Sequence, residues 1–244
     1  MLNFKNYLQE SETTLQYHDS LNSTLWANKS LKPEVRKQLL KIAEHWRDFA
    51  NIPKAAVLDI LLTGGNANYN YTKFSDLDVH LLVDKSKIAD CDFEVLADYL
   101  KDKKQIWTLT HDIKVYGYDV EIYAQDKNEA TSKNQGVYSL KNDSWIKEPK
   151  KIKIDLKDPA LQKKVDHYKK IIEFFINNKV DDFAVMDKFK EKLRDMRSAA
   201  VRQGGEFSLE NLAFKELRNL GYLDKFSDYI ISVEDKNLSL KKGE

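Results

Sequence analysis

The first half of the chain combines two hydrophobic periods. After Pro33, apolar residues recur every three or four positions as far as Trp46, which predicts an amphipathic helix that ends before Pro53. Residues 55–62 and 79–83 are short apolar runs that predict β-strands. We also predict a helix at residues 93–101 and strands at 105–109, 114–123 and 151–156. These elements together predict a mixed α/β domain.

The second half has a helical pattern throughout. Apolar residues at helical spacing predict four helices, at residues 161–176, 183–201, 208–221 and 222–231. Gly204 and Gly205 would end the second of these helices, and Ser208 would cap the third. The predicted fold class is therefore α/β (α+β), with a mixed sheet flanked by helices and followed by a helical domain. We predict three parts: residues 1–30 as an N-terminal helix and polar connection, 31–157 as the α/β domain, and 158–244 as the helical domain.

Composition restricts the partners of this protein. The chain has 40 basic and 39 acidic residues and a net charge of +1, so no overall field requires nucleic acid or a membrane. No apolar run approaches the ~18 residues of a membrane span, and the amino terminus lacks the pattern of a secretion signal. The single cysteine, Cys91, cannot form an intrachain disulfide. We expect a cytoplasmic protein without a membrane partner.

The candidate chemistry lies between the first two predicted strands. One strand runs into Gly64 and Gly65, a polar loop follows, and the next strand begins after Ser75 at Asp-x-Asp, which is Asp76 and Asp78. Two glycines allow a sharp turn that approaches a ligand closely, and the exposed N–H groups of such a turn can hold phosphate. Residues two apart on a strand point to the same side. The two aspartates are therefore predicted to project side by side.

Paired carboxylates favour a divalent cation. Two such charges repel by about 4 kcal/mol at an effective dielectric constant near 20, and a cation converts this repulsion into coordination. Mg²⁺, with Mn²⁺ as the alternative, binds through one or two carboxylates plus substrate phosphates. Two metal ions would call for a third carboxylate. The predicted strand at 114–123 offers Asp119 and Glu121, and we prefer Glu121 because aliphatic residues flank it.

This combination resembles the DNA polymerase beta-like nucleotidyltransferase superfamily, in its small bacterial or phage-type members. The resemblance covers residues 55–125, about a third of the chain, and includes the twelve-residue step from Gly64 to Asp76. It implies transfer of a nucleoside monophosphate from a nucleoside triphosphate such as ATP to a hydroxyl, with release of pyrophosphate. Asp76 and Asp78 would bind both metal ions, and Glu121 or Asp119 would bind the catalytic one and help activate the acceptor. Residues 31–157 would then be the catalytic domain.

The resemblance also implies which residues meet the nucleotide. Gly64 and Gly65 would hold the triphosphate, and Asn66, Lys73 and Ser75 are further candidates in the same loop. Many small members of the superfamily carry arginine in this loop, whereas here Lys73 is its only cation. Arg197 or Arg202, in the helical half, would supply the missing charge. The alternative is that both are ordinary surface arginines.

The acceptor is left open by the sequence: an RNA end, a protein hydroxyl, a small molecule or another nucleotide. Lysines are dense between residues 141 and 170, where Trp145 and Tyr168 interrupt them. Basic residues interleaved with aromatic rings bind single-stranded nucleic acid or the end of a tRNA. A solvated charged surface is the alternative interpretation of this stretch.

Other interpretations of the whole chain remain at this point. It could be a non-catalytic nucleotide-binding or phage-head-associated protein that keeps the fold, a glycosyltransferase that uses Asp-x-Asp, or a strand end with chance carboxylates. Residues 1–10 resemble the short sequence that directs internal proteins into the heads of some tailed phages, with a plain N-terminal helix as the alternative. That resemblance implies a protein packaged in a virion and delivered to the host cytoplasm. His80 is expected to be a hydrogen-bonded core or rim histidine.

Overall fold

The computed structural model describes residues 13–129, 135–152 and 154–240. These residues form two compact units. The sheet unit contains the described residues from 17 to 152, and the helical unit contains residues 13–16 and 154–240. The predicted boundaries at residues 30 and 157 stay predictions. The N-terminal segment that resembles a head-targeting sequence lies outside the described residues.

The sheet unit contains eight strands and two long helices among its described residues. The strands are β1 (Trp26–Ala27), β2 (Ser30–Leu31), β3 (Val57–Thr63), β4 (Leu77–Val83), β5 (Lys114–Val115), β6 (Tyr118–Asp126), β7 (Val137–Ser139) and β8 (Ser144–Lys147). The helices are α1 (Pro33–Phe49) and α2 (Phe93–Thr110), with short 3₁₀ turns at Lys54–Ala56, Gly65–Ala67 and Lys85–Lys87.

Six of these strands form one mixed sheet in the order β5-β6-β4-β3-β7-β8. The β4–β6 pair is parallel, and the other four pairs are antiparallel. Strand β4 alternates strictly between buried and half-buried residues, because successive side chains point to opposite faces of a sheet. Its buried residues pack in the same core as α1 and α2. The predicted fold class is confirmed.

Helix α1 begins at Pro33 and buries the apolar positions that the sequence pattern marked: Val35, Leu39, Ile42, Ala43 and Trp46. Helix α2 is longer than predicted, and the strand predicted at residues 105–109 is wrong. Leu96, Leu100 and Trp107 are its buried residues and follow helical spacing, whereas Ile106 and Leu109 are exposed. Because the short apolar run at 105–109 is compatible with either element, its length alone could not decide between them.

Three other predicted segments differ from the structure. The strand predicted at 114–123 is a hairpin of β5 and β6, because Tyr116 and Gly117 both have positive φ and form its two-residue turn. No strand is present in the described residues between 151 and 156, and β7 and β8 were not predicted. The polar connection before α1 buries Leu21, Leu25 and Trp26 in the core of the sheet unit.

The helical unit contains four helices among its described residues. They are α3 (Pro159–Asn177), α4 (Phe183–Gly204), α5 (Leu209–Asn219) and α6 (Tyr222–Leu238). Gly205 follows α4 with φ 77°, and Ser208 stands at the N-cap of α5 without a side-chain capping bond. Part of the interior is aromatic: the ring of Phe175 lies 5.5 Å from that of Phe189 and 5.4 Å from that of Phe226. Across the described ranges, no helix combines the length and apolarity needed to cross a bilayer.

Candidate active site

The turn after β3 brings backbone against a carboxylate. Gly64 has φ 75° and ψ −165°, a conformation that is open essentially to glycine alone. A Cβ placed on Gly64 would lie 1.6 Å from Oδ2 of Asp78. A Cβ on Gly65 would lie 3.0 Å from Oγ of Ser75. No larger residue therefore fits at position 64 while the carboxylate keeps its place at the start of β4.

The backbone of Asp76 is held by the side chain of Asn66. Asn66 is fully buried, and its Nδ2 donates to the carbonyl oxygens of Ser75 and Asp76 at 3.3 and 3.0 Å. Its Oδ1 accepts a hydrogen bond of 3.0 Å from Nδ2 of Asn22. The amide of Asn66 thus fixes the approach to β4, and contact of this side chain with a nucleotide stays a prediction.

Two more side chains close the same loop. Nδ2 of Asn68 donates to the carbonyl of Gly64 at 2.7 Å, and its Oδ1 accepts from the N–H of Gly136 at 2.9 Å. Oγ of Ser75 accepts from the N–H of Thr72 at 2.9 Å. The glycine turn and the residues before Asp76 are therefore cross-linked by side-chain hydrogen bonds, which preorganise the loop.

The sheet register brings a third carboxylate beside Asp78. In the parallel β4–β6 pair, Asp78 stands opposite Glu121 and His80 stands opposite Tyr123. In the antiparallel β3–β4 pair, Thr63 stands opposite Asp78. Paired residues share a face of the sheet, and neighbouring strands lie about 4.8 Å apart. Asp78, Glu121 and His80 therefore lie on one polar face, with the Glu121 strand next to the Asp78 strand.

His80 is a hydrogen-bonded residue of this face, as predicted. Its Nδ1 lies 2.9 Å from Oε1 of Gln125, and its Nε2 lies 3.3 Å from Oγ1 of Thr63. Nε2 of Gln125 donates to the carbonyl of Glu129, so Oε1 of Gln125 accepts and Nδ1 of His80 carries the proton. Burial lowers the pKa of His80, against the opposing effect of the Gln125 hydrogen bond. The ring therefore holds β3, β4 and β6 together by hydrogen bonds to Thr63 and Gln125.

Both candidates for the third carboxylate form ion pairs with lysines. Oε2 of Glu121 lies 3.1 Å from Nζ of Lys104 on α2. Asp119 pairs with Lys114, its cross-strand neighbour in the β5–β6 hairpin, and Lys114 also lies 2.9 Å from Asp112. Glu121 is the residue in register with Asp78, and its role as the third carboxylate in preference to Asp119 stays a prediction.

The oxygen ligands that a divalent cation would need are found around the start of β4. Among the described residues, no three His, Cys, Asp or Glu side chains are arranged as a metal-binding group. Mg²⁺ does not require such a cage, since it usually keeps water and binds through one or two carboxylates plus phosphates of the substrate. Asp76 and Asp78, two residues apart at the start of β4, provide such oxygen ligands. The residues fit a site that substrate completes, rather than a closed structural site.

Other predicted nucleotide-binding residues have different environments. Nζ of Lys73 lies 4.9 Å from the ring centroid of Phe74 in the loop. Arg197 and Arg202 are exposed residues of α4. Nε of Arg197 donates to Oδ1 of Asn211 at 3.3 Å within the helical unit. The roles of both arginines toward a triphosphate stay predictions.

The aromatic residues of the lysine-rich stretch take part in packing. Trp145 stacks on Trp26 with ring centroids 4.8 Å apart, and Tyr168 is buried in the helical unit. Nζ of Lys141 donates to the carbonyl of Val57 at 3.0 Å. These contacts give the three residues structural roles, and RNA or tRNA as partner stays a prediction.

Sequence reasoning missed two participants in this face. Lys104 was overlooked because the predicted helix stopped at residue 101, although the spacing from Leu96 and Leu100 continues to it. Gln125 was overlooked because the predicted strand stopped at residue 123, whereas β6 continues to Asp126. Extending the helical pattern by one turn would have included Lys104, and extending the strand pattern by two residues would have included Gln125.

The fold and this face define an α/β protein with a glycine turn packed against strand carboxylates. No protein-family model matches the chain, and no curated protein matches it. Among solved structures, the chain is similar to a STING-associated CdnE c-di-GMP synthase from Capnocytophaga granulosa, with 13% sequence identity and a TM-score of 0.22. The match covers 85% of this chain and 84% of that chain.

Proposed function

We propose that this chain is a metal-dependent nucleotidyltransferase, which transfers a nucleoside monophosphate from a nucleoside triphosphate to a hydroxyl and releases pyrophosphate. The observation that carries the proposal is the contact of the Gly64 backbone with the Asp78 carboxylate, in a strand whose Asp78 is in register with Glu121. Backbone N–H groups that could hold phosphate therefore lie next to a carboxylate that could bind a cation. Phosphoryl transfer depends mainly on positioning and electrostatic stabilisation of this kind.

Each residue has a defined task in this proposal. The N–H groups of the Gly64–Gly65 turn hold the β- and γ-phosphates, and Asp76 and Asp78 bind Mg²⁺ together with phosphate oxygens. When bound there, Mg²⁺ neutralises phosphate charge and polarises the α-phosphate. The acceptor oxygen bonds to the α-phosphorus as the bond to the bridging oxygen of pyrophosphate breaks. Glu121 joins Asp76 and Asp78 as a metal ligand and accepts the proton of the acceptor hydroxyl.

The reaction is tested by incubating the protein with each of the four α-labelled nucleoside triphosphates, Mg²⁺ or Mn²⁺, and an extract of RNA and protein. We expect pyrophosphate release and transfer of label, both lost in Asp76→Ala. Asp102→Asn is the matched control, since it removes an exposed carboxylate of α2. Release that survives in Asp76→Ala would exclude the proposed metal site.

The labelled fraction of the extract identifies the acceptor class. Label in RNA supports a polynucleotide end, label in protein supports modification of a side-chain hydroxyl, and label in small molecules supports a metabolite or a second nucleotide. The proposal itself requires only that some hydroxyl acceptor becomes labelled.

A second candidate function is nucleotide binding without turnover. The observation that favours it is that Glu121 and Asp119 are both paired with lysines, so the described carboxylates do not form a ready-made three-ligand group. Nucleotide binding by folded protein, without pyrophosphate release with any nucleotide or metal, would support this alternative. Release of pyrophosphate would exclude it.

A further inference from the structure

Lys104 occupies an unusual position for a surface lysine. Its Nζ lies 3.1 Å from Oε2 of Glu121 and 5.6 Å from the ring centroid of Tyr123. Glu121 is the residue paired in register with Asp78, and Tyr123 is paired with His80. The ammonium group of a helix residue is therefore brought onto the polar face that carries the candidate metal ligands.

The packing of α2 explains why the lysine reaches this face. Leu100 and Trp107 lie four residues before and three residues after Lys104, and both are buried. Because residues at these spacings share one side of a helix, they fix the backbone of Lys104 against the sheet unit. The side chain of Lys104 remains 35% exposed and that of Glu121 49% exposed. The ion pair is thus positioned by the helix but open to solvent, so its partners can exchange at little cost.

A bound triphosphate needs positive charge beyond that of the metal ions. The loop from Gly64 to Ser75 contains one cationic residue, Lys73, and its ammonium lies over the Phe74 ring. Asp78 and Glu121 stand in register on neighbouring strands, whose backbones lie about 4.8 Å apart, so a phosphate held beside Asp78 would lie near Glu121. The flexible four-carbon stem of a lysine spans such a distance by rotamer changes.

We propose that Lys104 exchanges partners during substrate binding: it pairs with Glu121 when no nucleotide is present and with the triphosphate when Glu121 turns toward the metal. This inference rests on the proposed function and assigns to Lys104 the cation that the loop does not supply.

The test compares Lys104→Gln with Lys103→Gln, its neighbour on α2, whose ammonium lies over the rings of Phe49 and Tyr99. Binding is measured by thermal shift and calorimetry with Mg²⁺ and whichever of ATP, GTP, CTP and UTP stabilises the protein most, and with its monophosphate. We expect Lys104→Gln to weaken triphosphate binding by about 10- to 100-fold, the usual effect of losing one charge-assisted contact. The affinity of Lys104→Gln for the monophosphate should equal that of the parent protein. The Lys103→Gln protein should bind both nucleotides as the parent protein does.

Two further measurements separate this role from a structural one. Lys104→Arg retains the charge and should recover most of the triphosphate affinity, whereas a role in helix packing would not discriminate between tri- and monophosphate. Mg²⁺ alone should bind Lys104→Gln at least as tightly as the parent protein, because Glu121 is released from its ion pair. Weaker Mg²⁺ binding would contradict the exchange of partners.

The outcomes for Lys104 and for the proposed function are distinguishable. Pyrophosphate release by the parent protein, with unchanged triphosphate affinity in Lys104→Gln, would overturn the role of Lys104 and leave the nucleotidyltransferase intact. Equal weakening of tri- and monophosphate binding would also overturn it. A parent protein that neither binds nucleotide nor releases pyrophosphate would overturn both.

Discussion

The glycine turn of the sheet unit and the aromatic cluster of the helical unit are held together by different kinds of buried group. Around the glycine turn of the sheet unit, Asn66 and Asn68 are buried, and the side-chain Nδ2 of each donates a hydrogen bond to a backbone carbonyl. In the helical unit, Phe175, Phe189 and Phe226 pack ring against ring. Hydrogen-bond networks demand specific directions from each member, whereas apolar packing depends mainly on volume. Single substitutions should therefore alter chemistry in the first region and stability in the second.

The largest expected effect concerns the aromatic core of the helical unit. Phe175→Ala removes a side chain that is 7% exposed, whereas Phe174→Ala removes its neighbour on α3, which is 58% exposed. We expect the first to lower the free energy of unfolding by about 3–5 kcal/mol and the second by less than about 0.5 kcal/mol. Urea unfolding followed by circular dichroism measures both. Equal losses would show that the Phe175 cluster does not stabilise the unit by packing.

An intermediate effect is expected from Gly64→Ala in the sheet unit. The new Cβ would lie 1.6 Å from the present position of Oδ2 of Asp78, so the carboxylate must move. A misplacement of about 1 Å in a site costs about 100-fold in rate, so we expect Gly64→Ala to lower the rate of pyrophosphate release by about this factor.

Gly205→Ala provides the matched control. Gly205 has φ 77° and ψ −166°, close to the values of Gly64. Both substitutions should therefore cost about 1–3 kcal/mol through backbone strain, but only Gly64→Ala displaces Asp78. If both variants lost pyrophosphate release equally, backbone strain rather than the position of Asp78 would be responsible.

The smallest effect is a pH dependence that each unit should show. Hydrogen bonds from Lys127 and Ser86 lower the pKa of Asp84 to about 2, from an ordinary value of 3.8. In the helical unit, a hydrogen bond from Lys164 lowers the pKa of Glu210 below 4.5. Because each folded-state pKa lies below the unfolded one, each stabilisation is present above pH 4 to 5 and is lost as the pH falls through the folded-state pKa.

Urea midpoints of the parent protein, Asp84→Asn and Glu210→Gln between about pH 2 and pH 7 measure this dependence. The variants should be less stable than the parent protein near neutral pH, and the difference should shrink toward pH 2. A difference that stays constant across this range would show that these ion pairs do not titrate with folding.

Local sequence determined much of the fold. Helix α1 follows directly from its apolar period, and α3 to α6 begin within about two residues of their predicted starts, because helical hydrogen bonds and side-chain spacing connect residues that are near in sequence. The glycine turn and the start of β4 at Leu77 were likewise visible locally. The adjacency of Gly64 and Asp78 could be expected from a strand, turn and strand, although the close approach of the Asp78 carboxylate to the Gly64 backbone could not.

Tertiary structure decided what depends on pairing between distant segments. The register that sets Glu121 opposite Asp78 spans 43 residues and is fixed only when β4 and β6 pair in the sheet. Residues 105–109 are helical because Trp107 is buried in the core, and the adjacent residues in the sequence do not determine this state. The same extension of α2 placed Lys104 beside Glu121.

The sequence by itself therefore determined which residue types are available for this chemistry, and the tertiary structure decided which of them meet. Asp76, Asp78 and the two glycines are close along the chain, so their proximity is a local property of one turn. Glu121 and Lys104 come from a separate strand and a separate helix. Their positions depend on sheet register and core packing, which arise from long-range contacts that no short window of sequence contains.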